Sequence, residues 1–391
     1  MHTDLKRLGR TRWATKLIFL VCGLGVSSWA PMVPYAKDRL AMHDAHLGIL
    51  LLFLGGGALV MMPVAGMLAN RFGSRIVILF SALIIALMLP LLLILDSGTT
   101  MAAVLLLFGA GIGSIDVAMN AHAVQVQNLY GRPIMSSLHG LYSVGGLLGA
   151  LGLGLLIKFG LEPVPAAIGI SVLLVMIAVS QFKYLFSFTE EKAVIGQFYK
   201  PPPAGENNNR LSWLNGGVVF LGLMCFAVFL SEGAVLDWSA VFLRDDKGVS
   251  PEFAGAGYAA FSIAMAFVRL TGDKLVERWN NKTMVVGGSL IAALGFAITI
   301  VSPGLYGVLS GYVLLGAGAA NTVPIFFSDA GKLPGIPPTV SIPVVTTLGY
   351  GGQLAGPALL GIVAHQFSLA IAFGCLVALL ILVAIAYLLK K

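Results

Sequence analysis

The sequence predicts an all-α membrane protein, twelve transmembrane helices in two pseudo-symmetric six-helix bundles. Three observations predict it. Of 391 residues, 58% are hydrophobic and 10% charged, whereas a soluble domain carries roughly 25% charged residues. The apolar residues fall in unbroken blocks of about 20 or more, the length that crosses a hydrocarbon core. Their continuity excludes a β-barrel, whose strands alternate. Finally, the second half of the chain repeats the first at an offset of 207 positions.

Twelve blocks can be placed, roughly 15–36, 46–69, 76–95, 100–124, 136–159, 164–186, 213–242, 253–274, 284–302, 304–328, 339–363 and 367–389. The first is not a cleavable leader: it runs on into a second span with no small-residue cleavage site between them. The net charge of +7 would suggest a nucleic-acid partner in a soluble protein. Here it reports orientation instead. With both termini inside, 18 basic residues fall in cytoplasmic segments and 5 outside, the outer ones being Lys37, Arg39, Lys158, Arg244 and Lys247. That bias is the positive-inside rule. It predicts a multi-pass protein in contact with the lipid bilayer, with both termini cytoplasmic.

The polar stretch around 183–212, with "PPPAGENNN", separates six spans from six. It predicts an N-terminal bundle over 1–186, a mobile cytoplasmic linker over 187–212 with one short amphipathic piece near "IGQFYK", and a C-terminal bundle over 213–391. The repeat joins three separate segments in one register. "GAG" at 109–111 recurs at 316–318, "LYSVGGLLGALGLG" (141–154) aligns with "LGYGGQLAGPALLG" (348–361), and "LANRFGSR" (68–75) lies over "LVERWNNK" (275–282). Duplicated six-helix halves with a solute site between repeats are the logic of secondary transporters.

Polar residues inside the spans carry the chemistry. A charge at the bilayer centre costs at least about 2.5–3.5 kcal/mol, so Asp116 in span 4 faces water, pairs, or holds a proton. Asn120 lies about 40° and Gln127 about 20° from it around a helix, on one stripe. The two readings of Asp116 are proton coupling or solute contact, and a bonded structural acid joining helices. In span 7, Glu232 is the deeper acid and is read as the second proton or solute group, while Asp237 beside Trp238 reads as an outer-interface anchor. Trp29 in span 1, at a similar depth to Trp238, is a candidate ring for stacking on solute. Tyr142 in span 5, Asn321 in span 10 and Gln353 in span 11 complete the expected solute contacts. His139 and His122 read as satisfied histidines. Arg269, Asp273 and Glu277 recur every four residues along span 8, a spacing that lets opposite charges pair, and are expected to form a gate bridge near the cytoplasmic surface.

Other classes find no support. No Gly-Lys-Ser/Thr phosphate loop, metal-ligand spacing or nucleophile–base pattern occurs, so no cofactor, metal or enzymatic activity is expected. Cys22, Cys225 and Cys375 all lie in apolar blocks and read as free thiols.

"GMLANRFGSR" (66–75), between spans 2 and 3, resembles the signature loop of the Major Facilitator Superfamily, and the resemblance extends over all twelve spans. "GSIDVAMNAHAVQVQ", "SEGAVLDWSAVF" and "FVRLTGDKLVERW" resemble its fucose-permease-like branch. The resemblance implies that Asn70, Arg71 and Arg75 belong to a cytoplasmic gate. Asn70 stands where the family has Asp, so one helix-end charge is missing; Glu277 keeps an acid in the second copy. It also implies alternating-access transport of a small polar, sugar-like solute coupled to protons, by a monomer in a bacterial inner membrane. The alternatives are a proton-coupled exporter of drugs or metabolites and a non-transporting receptor on the same fold. Exporters of the family carry a base in span 4 where this chain has Leu105, and a Gly-Pro in span 5 where it has Gly149-Ala150.

Overall fold

The computed structural model describes residues 5–41, 44–198, 215–250, 253 and 255–390. Among them the chain is helical, with no strand: α1 (Leu5–Ser28), α2 (Val33–Arg39), α3 (Asp44–Phe72), α4 (Ser74–Leu91), α5 (Gly98–Tyr130), α6 (Met135–Lys158), α7 (Pro163–Phe182), α8 (Phe188–Phe198), α9 (Gly216–Val241), α10 (Ala256–Val301), α11 (Leu305–Ala319), α12 (Thr322–Ala330), α13 (Pro338–Gln366) and α14 (Leu369–Leu389). Ten of the described stretches have the length and hydropathy of a membrane span. The 46-residue α10 carries two spans across a break at Asn280. Polar residues such as Thr346, Thr347 and Gln353 hold α13 below that hydropathy, and it completes the twelve. Large apolar side chains such as Phe80, Leu147, Phe267 and Leu294 are exposed, as a lipid-facing surface requires.

Two compact units arise. One comprises Met1–Gly131, Leu141–Trp213 and Gly331–Val344; the other comprises Arg132–Gly140, Leu214–Ala330 and Val345–Lys391. In the first, α5 packs on α1, α3 and α4, and its residues from Gly111 to Gln127 are all buried. In the second, α10 packs on α11 and α14, and α9 on α12. Cys22 and Cys225 are buried and Cys375 is exposed, and none of the three is in a disulfide among the described residues.

The repeat of 207 is visible inside each unit, contact by contact. A Cβ at Gly109 would stand 1.9 Å from the Leu54 carbonyl, and one at Gly316, 2.2 Å from the Phe261 carbonyl. Both partners in each pair differ by the same 207, so α5 on α3 and α11 on α10 are the same small-residue crossing. Arg39 donates to the carbonyls of Leu92, Leu93 and Leu95, closing the C-terminal end of α4. In the second unit Lys247 donates to Ile300 (2.7 Å) and Ser302 (2.8 Å), the equivalents of Leu93 and Leu95. Arg39 and Lys247 therefore both serve helix C-termini, where the dipole favours a cation.

Within the expected linker, α8 spans Phe188–Phe198, beginning before the amphipathic piece expected near "IGQFYK", and Ser187 and Glu190 form a capping box at its start. The Ser187 N–H donates to Glu190 Oε2 (2.7 Å) and the Glu190 N–H to Ser187 Oγ (3.3 Å). Arg7 of α1 pairs with Glu190. The rest of the expected linker, including "PPPAGENNN", lies outside the described residues.

Candidate functional site

In the first unit the site begins with Asp116 at the middle of α5. Its neighbours Gly109 and Gly113 let α3 approach closely, which buries the acid. Asp116 is 7% exposed and Asn120 fully buried. One turn on, the Asn120 amide donates to the Asp116 carbonyl (2.9 Å) and to Asp116 Oδ1 (3.2 Å). No cation pairs with Asp116 among the described residues. Trp29, past the end of α1, is buried with its indole N–H lacking a partner among the described residues. Tyr142 is half-buried, and its carbonyl lies where a Cβ on Gly23 would fall. His122 is spoken for: Nε2 accepts from the Phe186 N–H (3.0 Å), which leaves Nδ1–H for Thr15 Oγ1 (3.3 Å).

In the second unit the site is built on a broken helix. α11 ends at Ala319 and α12 begins at Thr322, so Ala320 and Asn321 interrupt the span. The Ala320 carbonyl accepts from Arg269 Nε at 3.0 Å. Arg269 Nη2 stands 3.5 Å from Glu232 Oε1, with side chains 8% and 18% exposed. One turn further along α10 is Gly272, where a Cβ would lie 2.0 Å from Asn321 Oδ1. Only glycine admits the Asn321 amide there. That amide is buried, and neither its oxygen nor its nitrogen has a hydrogen-bond partner among the described residues. A buried polar group left unpaired needs an explanation. Gln353 of α13 packs on Gly233, beside Glu232.

Arg269, expected to bridge to Asp273 or Glu277 near the cytoplasmic surface, has its guanidinium buried beside Glu232 on α9. Asp273 Oδ1 accepts from the Ser137 N–H at 3.0 Å, placing a carboxylate at the N-terminus of α6, where the dipole favours it. Glu277 Oε1 lies 3.8 Å from Arg132 Nε, with both side chains more than half exposed; such pairs contribute little. His139 is stacked on Phe327 at 5.6 Å.

At the signature loop, Asn70 and Arg71 are exposed and the Arg75 guanidinium stacks on Phe182 at 4.9 Å. The buried acid comes from elsewhere. Glu191 of α8, 2% exposed, accepts from the Ser74 N–H (2.7 Å), Ser74 Oγ (2.6 Å) and Gln125 Nε2 (2.7 Å). Burial pushes its carboxyl above the ordinary glutamate value, and the bonds from Ser74 and Gln125 offset part of that. Partial burial acts on Glu190 in the same sense, but the Ser187 bonds and Arg7 outweigh it and hold that carboxyl low. In the second unit the loop is held by Asp329, which accepts from Asn281 (2.8 Å), Tyr387 (2.5 Å) and Lys390 (2.5 Å). Sequence reasoning missed Glu191 and Asp329. The Ser187-x-x-Glu190 box was the available signal for the first; the second had none.

The Major Facilitator Superfamily profile matches residues 17–340. An uncharacterized MFS-type transporter of Yersinia pestis is 43% identical over 371 residues, 95% of this chain and 93% of that protein. A variant of the E. coli fucose:proton symporter FucP has the same fold at a TM-score of 0.70 and 15% identity, over 96% of this chain and 98% of its own. The proton:xylose symporter XylE, bound to 6-bromo-6-deoxy-D-glucose, matches with a TM-score of 0.73 and 12% identity, over 98% and 95%. With twelve spans in two six-helix bundles, a family match over residues 17–340 and a relative 43% identical over 95% of its length, this chain belongs to the Major Facilitator Superfamily and is a multi-pass membrane transporter.

Proposed function

We propose that the protein is a proton-coupled transporter of a small, uncharged, polar solute of sugar-like chemistry, working by alternating access. The observation that carries this is the Glu232–Arg269–Ala320 arrangement at the broken span, with the Asn321 amide beside it. Discontinuous helices supply freed backbone groups and are where transporters of this type hold solute. The ion pair leaves the second-unit site without net charge, which favours a neutral polyhydroxy solute over an anion. Asn321 and Gln353 offer an amide donor and acceptor each, the groups that hydroxyls match.

Asp116 is the proton group of the first unit. Its amide neighbour tolerates either protonation state, and without a paired cation a buried carboxylate is neutralised by taking a proton. Asn120, Trp29 and Tyr142 serve solute contact. Asn70, Arg71, Arg75, Asp273 and Glu277 belong to the cytoplasmic gate, and Arg269 moves from the gate to the solute site. The membrane is the bacterial inner membrane with both termini cytoplasmic, as the basic-residue bias supports. The names of FucP and XylE, both proton symporters of sugars, favour import over export.

The test is uptake into proteoliposomes against a panel of neutral sugars, sugar acids and cationic drugs, with and without an inward proton gradient. A neutral sugar accumulating only with the gradient supports the reading. Accumulation of cationic compounds alone, or uptake indifferent to the gradient, overturns it.

A further inference from the structure

The span formed by α11 and α12 stops and restarts at Ala320 and Asn321, and the cause stands just beyond. In an unbroken helix the Ala320 carbonyl would accept from the N–H of residue 324. That residue is Pro324, which has no N–H and whose ring presses on the carbonyl four residues back. The next bond is made: the Ile325 N–H donates to the Asn321 carbonyl at 3.1 Å, which starts α12 with Asn321 in the N-cap position. An asparagine there accepts from the N–H two or three residues on. The third is again Pro324. Asn321 does not cap; its amide turns to Gly272, and both of its polar atoms are unbonded among the described residues.

A proline inside a span frees an acceptor that a neighbour must satisfy. Here the neighbour is Arg269, whose Nε stands 3.0 Å from the Ala320 oxygen while its Nη2 stands 3.5 Å from Glu232 Oε1. The first half of the chain supplies the control. At the offset of 207, Pro324 corresponds to Val117 and Arg269 to Met62. α5 runs unbroken through Val117, and Met62 is fully buried. The proline, the break and the arginine are absent together.

We propose that Pro324 is the positioning residue of the second-unit site. By withholding an N–H it leaves the Ala320 carbonyl to Arg269, which fixes the guanidinium beside Glu232, and it releases the Asn321 amide toward Gly272. That these groups contact solute rests on the function proposed above; that Pro324 places them does not.

A double-mutant cycle in thermal unfolding of the full-length protein in detergent tests the placement. Arg269→Met leaves the Ala320 carbonyl without its donor. In Pro324→Ala the new N–H takes that carbonyl over. Arg269→Met should therefore lower the melting temperature by about 2–4 °C less in that background than in wild type, the size of one orphaned buried acceptor in a chain this long. Additive losses overturn the proposal. Should Arg269→Met not fold, Arg269→Lys takes its place in the cycle, since it keeps a cation for Glu232 and drops the Nε donor.

The second readout is affinity, which a proline of purely structural role would not move. Thermal-shift titrations use glucose, galactose, fucose, xylose and arabinose as probes. For whichever of them shifts the wild type, the midpoint should rise about tenfold in Pro324→Ala, as for the loss of one bond to a charged group. It should return to the wild-type value when Pro324 is replaced by lactic acid, which like proline carries no N–H. A Pro324→Ala midpoint equal to that of wild type, or a lactic acid variant no better than alanine, overturns the proposal. If none of the five shifts the wild type, the sugar reading of the site fails, and the cycle alone decides on Pro324.

Discussion

Gly73 and Asn280, 207 positions apart, hold the same unusual backbone conformation at the start of equivalent helices, φ 89°, ψ 147° and φ 62°, ψ 166°. Positive φ suits glycine, so the second copy is strained where the first is not. The compensation is a cap. Asn280 Oδ1 accepts from the Thr283 N–H at 3.0 Å, three residues on, as an N-cap does. Gly73 has no side chain to offer, and Glu191 of α8 supplies the acceptor for Ser74 instead.

From this, Asn280→Gly and Asn280→Ala should differ. Glycine loses the cap but relaxes the backbone, and caps changed to glycine cost only a few tenths of a kcal/mol. Alanine loses the cap, about 1 kcal/mol, and keeps the strain that Asn280 already bears, so it forgoes the relief of about 1–3 kcal/mol that glycine brings. Thermal unfolding in detergent should rank wild type and Asn280→Gly close together and Asn280→Ala clearly below. Equal losses would mean that the side-chain bond, not the backbone, governs this corner.

Glu191 gives a pH dependence with a definite sign. Its folded-state value is raised above the ordinary 4.5. A group raised on folding contributes stability that is complete below its unfolded value and is lost as pH rises through its folded one. Glu190 is lowered, so its contribution is present above the ordinary value and fades only below it. The windows are separate. The difference in melting temperature between wild type and Glu191→Gln should therefore fall as pH rises from 4.5 upward. A difference that stays flat or grows over that window would show that Ser74 and Gln125 outweigh burial.

The fold was legible because membrane spans and small-residue crossings are written in composition and period. Gly109 and Gly316 are found by alignment alone, and their carbonyl contacts follow from it. The charged residues divided differently. Arg39 and Lys247 counted as exceptions to the orientation rule, yet they cap helices, a role set by where a loop ends rather than by any local pattern. The approach of Arg269 to Glu232 was not legible, because four-residue spacing points only along its own helix, to Asp273. Its direction into the unit depends on Gly272 and on the break at Ala320, which only folding brings together. Asp116 with Asn120 was readable because both sit on one helix.

Gly109→Ala and Gly316→Ala test whether the repeat is structural. Each added methyl group would fall within 2.2 Å of a carbonyl oxygen, at Leu54 and Phe261, and the paired helices must separate. Overpacking of this kind costs about 1–3 kcal/mol, and equivalent crossings should give losses of similar size. A marked loss in one and none in the other would leave the alignment without a common packing role.

Asp116→Asn should insert and melt like wild type, because an amide has the size of the carboxyl and can still accept from Asn120. It cannot cycle a proton. Accumulation of solute driven by a proton gradient should fall to background in proteoliposomes, while exchange of solute already on both sides persists. Wild-type accumulation in this variant would remove Asp116 from the coupling role and leave it as a structural acid on α5.

The buried pair on α9 and α10 makes the sharpest demand. Arg269→Ala leaves Glu232 without its cation in the unit interior, and breaking a buried pair from one side costs about 3–5 kcal/mol. Adding Glu232→Gln removes the orphaned charge, so the double variant should recover most of that stability. Transport should not recover with it. If Glu232 and Arg269 hold solute at the broken span, the double variant folds and fails to bind, which a thermal-shift titration with the transported sugar would report as no stabilisation at any concentration. A double variant that regains both stability and solute-dependent stabilisation would show that the pair only joins α9 to α10. A double variant as unstable as Arg269→Ala would show that the lost bond to the Ala320 carbonyl, rather than the orphaned charge of Glu232, is what the span cannot do without.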